Sequence, residues 1–285
     1  MPYLKFLFVL LLLGLASAKA NTFEAVYDFV EERPGNIAVS SKGDIYVTIH
    51  PMSGSNTKIT KINKKGQRED FTIPMFLKPQ NNFNAGISNA IGIYIDKKDH
   101  LWILDMGDKS SSPKFIIWNL KKEKLEKLIT IPLDVIRPHS FLQDFAIDEE
   151  NDFAYIADMT MGGMGIKANP AIIAINIKTG EAKRLLENSR FVKSKKPMMA
   201  EGKMIASGAS KQGVIFDINP MTIDSKNEWV YFGGMSEGEI YRINTATLRN
   251  FNLSRTDLEQ KVENMGYKPY SDGFKIDKKQ NIYIG

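Results

Sequence analysis

One short unit recurs five times along this chain: an apolar strand, a polar turn, then a second strand carrying a tyrosine or tryptophan. It occupies residues 35–48 (GNIAVSSKGDIYVT), 92–105 (GIYIDKKDHLWILD), 144–158 (DFAIDEENDFAYIAD), 221–234 (MTIDSKNEWVYFGG) and 273–285 (GFKIDKKQNIYIG). Asp96, Asp148, Asp224 and Asp277 fall in one slot of the unit, and Ser40 fills it in the first copy. The turns are built from Gly, Asn, Asp and Lys, and the strands are rich in Ile, Val, Tyr and Trp, several with period two. That combination marks tight antiparallel hairpins. Each of the first four copies is followed by a second strand pair, at residues 58–74, 115–132, 172–186 and 239–253. Four strands recurring every ~50–75 residues predict a β-propeller, whose blades hide their faces against one another.

A parallel α/β fold would need helical crossovers between its strands. The one short helical pattern lies within residues 253–265, where Ser254 is placed to cap a surface helix between blades. With 43% hydrophobic and 25% charged residues the composition is that of a globular chain, and 285 residues suffice for one large core. There is no cysteine, which removes disulfide scaffolds, thiol nucleophiles, iron–sulfur clusters and cysteine zinc sites together. The fifth copy reaches Gly285 partway through its second strand. The pattern therefore reads as an all-β, six-bladed propeller with four-stranded blades, truncated in the fifth blade at the C-terminus. Residues 23–31 alternate and are available as a strand closing the last blade.

The first twenty residues stand outside this pattern. Lys5 precedes an unbroken apolar run, and Ala16, Ala18 and Ala20 frame two A-x-A cleavage sites. The run is about ten residues, too short for a ~30 Å bilayer, so residues 1–20 read as a secretory signal and residues 21–285 as the propeller. Removal of Lys5 and Lys19 leaves 36 basic against 33 acidic residues. So small an excess argues against a nucleic-acid partner. The expectation is a secreted or periplasmic monomer with no membrane attachment after cleavage. Most lysine pairs fall in turns, and the densest cluster, Lys193 to Lys196, reads as a solvated loop.

Segments 33–51, 92–107, 140–159, 228–250 and 268–285 resemble, in order, the bacterial form of the Yellow/major royal jelly protein family. That family is related to the six-bladed propellers of the gluconolactonase/senescence-marker group. The resemblance implies a role among those of its members: conversion of dopachrome, binding of biogenic amines, or nutrition. Through the wider group it also implies a divalent cation held at the channel by Glu, Asn and Asp, with lactone opening as the chemistry. Asp272 resembles the group's Asp ligand and Asn219 stands near its Asn slot. Two positions depart from the pattern. Gln143 stands where Yellow-like sequences carry Asn, and Asn36 replaces the first-blade Glu, with Glu32 nearby.

In a propeller, residues just before each innermost strand ring the mouth of the axial channel. Here these are Asn36, Asn89, Gln143, Asp144, Asn219 and Asp272, the candidate ligand-binding set. Asp144, Asn219 and Asp272 are the candidate ligands for Ca²⁺, which takes six to eight oxygens. Asp144, Asp272, His139 and His50 are the candidate catalytic groups, since carboxylate and imidazole move protons near neutral pH. His100 falls in a hairpin and is expected to face solvent. A G-x-S-x-G match at Gly234 to Gly238 joins two strands, not a strand and a helix, and is rejected as a nucleophile elbow. Met159, Met161 and Met164 suggest an apolar loop over the channel. Asn252 begins a glycosylation sequon, relevant only in a eukaryotic cell.

The functional expectation is binding of a small organic molecule, of aromatic amine or catechol type, at the channel mouth, with isomerase-like activity and no required metal. The alternatives are a calcium-dependent, gluconolactonase-like hydrolase and a non-catalytic interaction platform.

Overall fold

The aspartate shared by the repeats closes each hairpin. The structure, a computed structural model, describes residues 24–73, 86–160, 168–206, 213–236 and 238–285. Asp96 Oδ1 accepts the Lys98 and His100 N–H groups, both at 2.9 Å, and Asp224 Oδ1 accepts that of Glu228 at 2.8 Å. Asp277 does the same for Lys279 and Asn281, Asp148 for Asn151, and Ser40 Oγ accepts from Asp44 N–H. These are Asx-type turns, in which a short side chain replaces a backbone acceptor. Each turn ends on a residue in the left-handed region: Gly43, Asp99, Asp152, Asn227 and Gln280.

Four such hairpins extend into four-stranded antiparallel sheets, each in simple chain order. The first holds β1 (Pro34–Val39), β2 (Ile45–Ile49), β3 (Ile59–Ile62) and β4 (Arg68–Asp70). The second holds β5 (Ala90–Ile95), β6 (His100–Asp105), β7 (Lys114–Asn119) and β8 (Lys124–Thr130). The third holds β9 (Leu142–Asp148), β10 (Phe153–Asp158), β11 (Ala171–Asn176) and β12 (Ala182–Leu185). A small hairpin, β13 (Met199–Ala200) and β14 (Lys203–Met204), precedes the fourth sheet: β15 (Ile218–Ile223), β16 (Trp229–Gly234), β17 (Gly238–Asn244) and β18 (Glu263–Lys268). A fifth sheet of two strands follows, β19 (Phe274–Ile276) and β20 (Ile282–Ile284). The meander sheets, packed side by side through their first strands, are propeller blades.

The core lies in the seams between blades. Tyr46, Leu101, Ile116 and Trp118 fill the first seam, and Trp102, Phe115, Phe145 and Ile156 the second. Tyr155, Ile172, Phe232 and Leu248 fill the third, while Tyr231, Ile240 and Phe274 join the fourth blade to the fifth sheet. Alternation along each strand sends successive side chains into opposite seams, so both faces of a blade must be apolar.

Three sequence expectations are corrected. The pair expected at residues 239–253 is not a hairpin: Asn244 caps helix α1 (Thr245–Arg249), and the fourth blade's outer strand is β18. The Ser254-capped helix is real, with a capping box to Asp257, but α2 (Arg255–Gln260) lies inside the fourth blade, between β17 and β18. Residues 24–31 form no strand. Instead the Tyr27 and Phe29 rings lie by the Arg68 guanidinium on the first blade's outer strand, at 6.0 and 5.4 Å. Residues 1–20, the expected signal, lie outside the described residues. Among the described residues no helix is long and apolar enough to cross a membrane.

Candidate functional site

The first strand of each complete blade carries a register shift near its beginning. In β1, Pro34 pairs with Ile49 and Ile37 with Val47, so Gly35 and Asn36 together face Thr48. In β5 the doubled residues are Ile91 and Gly92, and in β15 they are Asn219 and Pro220. In β9 the extra residue is Gln143, just ahead of Asp144. A bulge re-aims side chains and spares a ladder N–H, which is why Pro220 is tolerated inside a strand. At Gly92 a Cβ would stand 2.7 Å from Phe145 Cδ1, so only glycine lets the inner strands approach this closely.

The bulges bring Asn36, Gln143, Asp144 and Asn219 to one cavity of about 430 Å³, with Asp272 just ahead of β19. Asp144, nearly fully buried, is the hub. Its Oδ1 accepts Asn36 Nδ2–H at 3.1 Å and Phe145 N–H at 2.9 Å, and its Oδ2 accepts Met221 N–H at 3.1 Å. Burial raises its carboxyl above the usual aspartate range, opposed by the positive Lys275 and by those donors. Asn219, wholly buried, donates Nδ2–H to Asp272 Oδ1 at 2.6 Å. Because a carboxylate only accepts, this bond fixes the amide's orientation and leaves Oδ1 facing no donor.

His50 lines the same cavity and is 6% exposed. Burial and the nearby Arg33 lower its pKa below the usual imidazole value, against a raising pull from Asp272. The ring is therefore neutral at pH 7. Nδ1 accepts Met52 N–H at 3.1 Å, so the proton sits on Nε2. Ile37, Phe274, Tyr283 and Ile284 add apolar surface to the same lining.

Not every candidate joins this site. Asn89 is tied into the second blade: its Nδ2–H goes to Gly107 O at 2.8 Å, and its backbone N–H to Asp105. His139 is exposed in a left-handed turn away from the cavity lining. His100 is half-buried, not solvent-facing, with Nδ1 2.9 Å from Asp96 Oδ2. Met159 packs with Met198, Met235, Phe141 and Phe216; Met161 and Met164 lie outside the described residues. Lys275 was missed by sequence reasoning. Its signal was a charge in the slot where the other copies carry Ala38, Tyr94, Ala146 and Thr222.

The family profile that matches residues 88–285 is that of the major royal jelly proteins. The chain belongs to the major royal jelly protein family. Major royal jelly protein 3 of Apis mellifera is 32% identical to this family member over 130 residues, 40% of this chain and 24% of that relative. The match thus spans about a quarter of the curated relative's length. Among solved structures, a gluconolactonase from Xanthomonas campestris aligns over 91% of this chain and 71% of its own, with TM-score 0.53 and 10% identity. Regucalcin, a calcium-binding protein from Agrobacterium tumefaciens, aligns over 88% and 66%, with TM-score 0.49 and 12% identity. At such identities the first likeness is one of fold, and the second carries no further weight.

The cation that the gluconolactonase group implies can be tested against these side chains. Both oxygens of Asp144 are engaged by N–H donors, Asn36 and Asn219 turn amide hydrogens toward carboxylates, and Lys275 adds a positive charge nearby. Among the described residues no three His, Asp or Glu side chains converge on one point. Among the described side chains, the Asp272 carboxylate and the amide oxygens of Asn36, Gln143 and Asn219 remain for a hard cation, fewer than six oxygens. As arranged, the donor set does not fit calcium.

Proposed function

We propose that this royal jelly family member is an exported, monomeric, six-bladed propeller that binds a small aromatic amine or catechol at the channel mouth. The observation that carries this reading is the Asp272 carboxylate, held by the buried Asn219 amide in the wall of a 430 Å³ cavity that His50 and Phe274 also line. Asp272 supplies the countercharge, neutral His50 offers Nε2–H to a ring hydroxyl, and Phe274 and Tyr283 supply an apolar wall for the ring. An imidazole and a carboxylate in one cavity can pass a proton across a bound ligand, and isomerase-like tautomerisation by His50 and Asp272 is the activity to seek.

Calorimetric titration with tyramine and dopamine tests the reading. Binding should be about tenfold weaker in Asn219→Ala and Asp272→Asn. Unchanged affinity in both variants refutes it. The calcium-dependent hydrolase makes the opposite forecast: millimolar calcium raises the melting temperature, and lactone hydrolysis depends on it.

A further inference from the structure

Two sequence features that carried no function alone, the lysine cluster and the G-x-S-x-G match, meet in the fold. The segment from Phe191 to Lys196 lies against the turn after β16. Ser194 N–H donates to Asp217 Oδ1 at 2.8 Å, Ser194 Oγ–H to Phe216 O at 2.6 Å, and Ile218 N–H to Val192 O at 2.9 Å. Gly234 admits this contact, since any Cβ there would collide with Ser194 Oγ. The loop is thus pinned, and Lys193 and Lys195 project from a fixed backbone.

Between loop and turn lies a pocket of about 140 Å³, lined by Lys193, Ser194, Lys195, Ser236 and Tyr267 among others. It adjoins a second cleft of about 490 Å³, and the two share Phe191, Lys195, Glu239 and Tyr241. Beneath the turn is buried Lys268, whose ammonium donates to two carbonyls, Ser236 O at 3.1 Å and Pro269 O at 3.0 Å. Its positive charge is desolvated, which brings its pKa down to about 8. Among the described residues the acidic groups nearby have partners: Glu239 accepts Tyr241 Oη–H at 3.0 Å, Glu259 pairs with Arg255 at 2.9 Å, and Asp217 holds Ser194. A small pocket with basic walls opens onto a wider cleft floored by tyrosine.

We propose that this seam of the third and fourth blades is a second binding site, for an acidic saccharide. Its carboxylate or sulfate would enter the pocket between Lys193, Lys195 and Ser236, and its sugar rings would lie along Tyr241 and Tyr267. The lysines and Ser236 give the small pocket cationic and hydroxyl groups for an oxyanion, while Tyr267, 67% exposed, offers a flat apolar face with a polar tip. Fixed lysines focus the potential on that pocket, as a solvated loop would not.

The test is affinity electrophoresis and calorimetry on the full chain with polygalacturonate, dextran sulfate, uncharged dextran and a DNA oligonucleotide of matched charge, at about 0.15 M salt to suppress diffuse attraction. Both acidic polysaccharides should bind, and dextran should not. Lys193→Ala/Lys195→Ala should weaken binding about tenfold or more while the chain still unfolds in one cooperative transition. Tyr267→Ala should weaken polysaccharide binding while leaving competition by inorganic sulfate unaltered. Lys278→Ala/Lys279→Ala, an equal loss of charge elsewhere, should change nothing. No binding by the parent chain, an equal loss in the control pair, or preference for DNA would each overturn the proposal. Amine binding at the channel mouth is a separate readout, so either site can fail alone.

Discussion

Asn36 and Asp144, 108 residues apart, are joined at 3.1 Å between the first blade and the third. The same carboxylate accepts Met221 N–H from the fourth blade, so one buried side chain fastens three inner strands at the axis. Removing it strands buried donors. Asp144→Ala should lower stability by about 2–3 kcal/mol, whereas Asn36→Ala, which removes one donor, should cost under about 1 kcal/mol. Urea denaturation of the two variants measures the difference.

Gly92→Ala tests the close approach of β5 and β9. The added methyl would meet the Phe145 ring at 2.7 Å, and the inner strands must separate to admit it. A loss of about 1–3 kcal/mol is expected. Calorimetric melting reads it, and ligand affinity should fall with it because the same bulges aim Gln143 and Asp144.

Lys114 and Asp105 form an ion pair at 2.8 Å, both side chains at or below 1% exposure. Asp105 also accepts the Ser88, Asn89 and Gly107 N–H groups. Lys114→Met leaves that carboxylate uncompensated and should cost about 3–5 kcal/mol in chemical denaturation. The double variant Lys114→Met/Asp105→Asn should recover part of the loss.

Asp217 sets a pH dependence of stability. Burial raises its carboxyl to about 6, against lowering by Ser194 N–H and Lys193. A raised folded-state pKa means the folded form holds the proton longer. Its contribution is present in full below the ordinary aspartate value and is lost as pH rises through about 6. Asp217→Asn should remove that decline and raise stability at pH 7 by on the order of 2 kcal/mol. Denaturation midpoints from pH 4 to 8 give the slope, and an unchanged slope refutes the assignment.

His50 sets the pH dependence of amine binding. Its lowered pKa keeps it neutral at pH 7, and protonation as pH falls places a second cation beside the ligand ammonium. Affinity for tyramine should hold near neutrality and drop about threefold to tenfold only as pH falls below the ordinary imidazole value and the ring protonates. His50→Gln should flatten that profile, as titration calorimetry at each pH would record.

What was legible in the sequence was local. The hairpins were readable because Asp96, Asp148, Asp224 and Asp277 each act within five residues of themselves, on the N–H groups of their own turns. The Ser254 cap was readable for the same reason. The fourth strand of the fourth blade was not, because residues 239–253 carry hairpin-like alternation that Asn244 interrupts by capping a helix. His100 looked solvent-facing from its turn, yet the Asp96 that closes that turn also holds its ring.

The candidate site divides along the same line. Repeat position alone placed Asn36, Gln143, Asp144, Asn219 and Asp272 at the strand starts, and it placed Asn89 there equally. Whether such a residue reaches the channel depends on the bulge beneath it and on what else competes for its amide, as Gly107 O does for Asn89. So the sequence determined the blades, through backbone patterns that act over a few residues. Only the tertiary structure decided which polar groups face one another, since Asn36 meets Asp144, and Ser194 fits over Gly234, through strands that come together only when the blades pack.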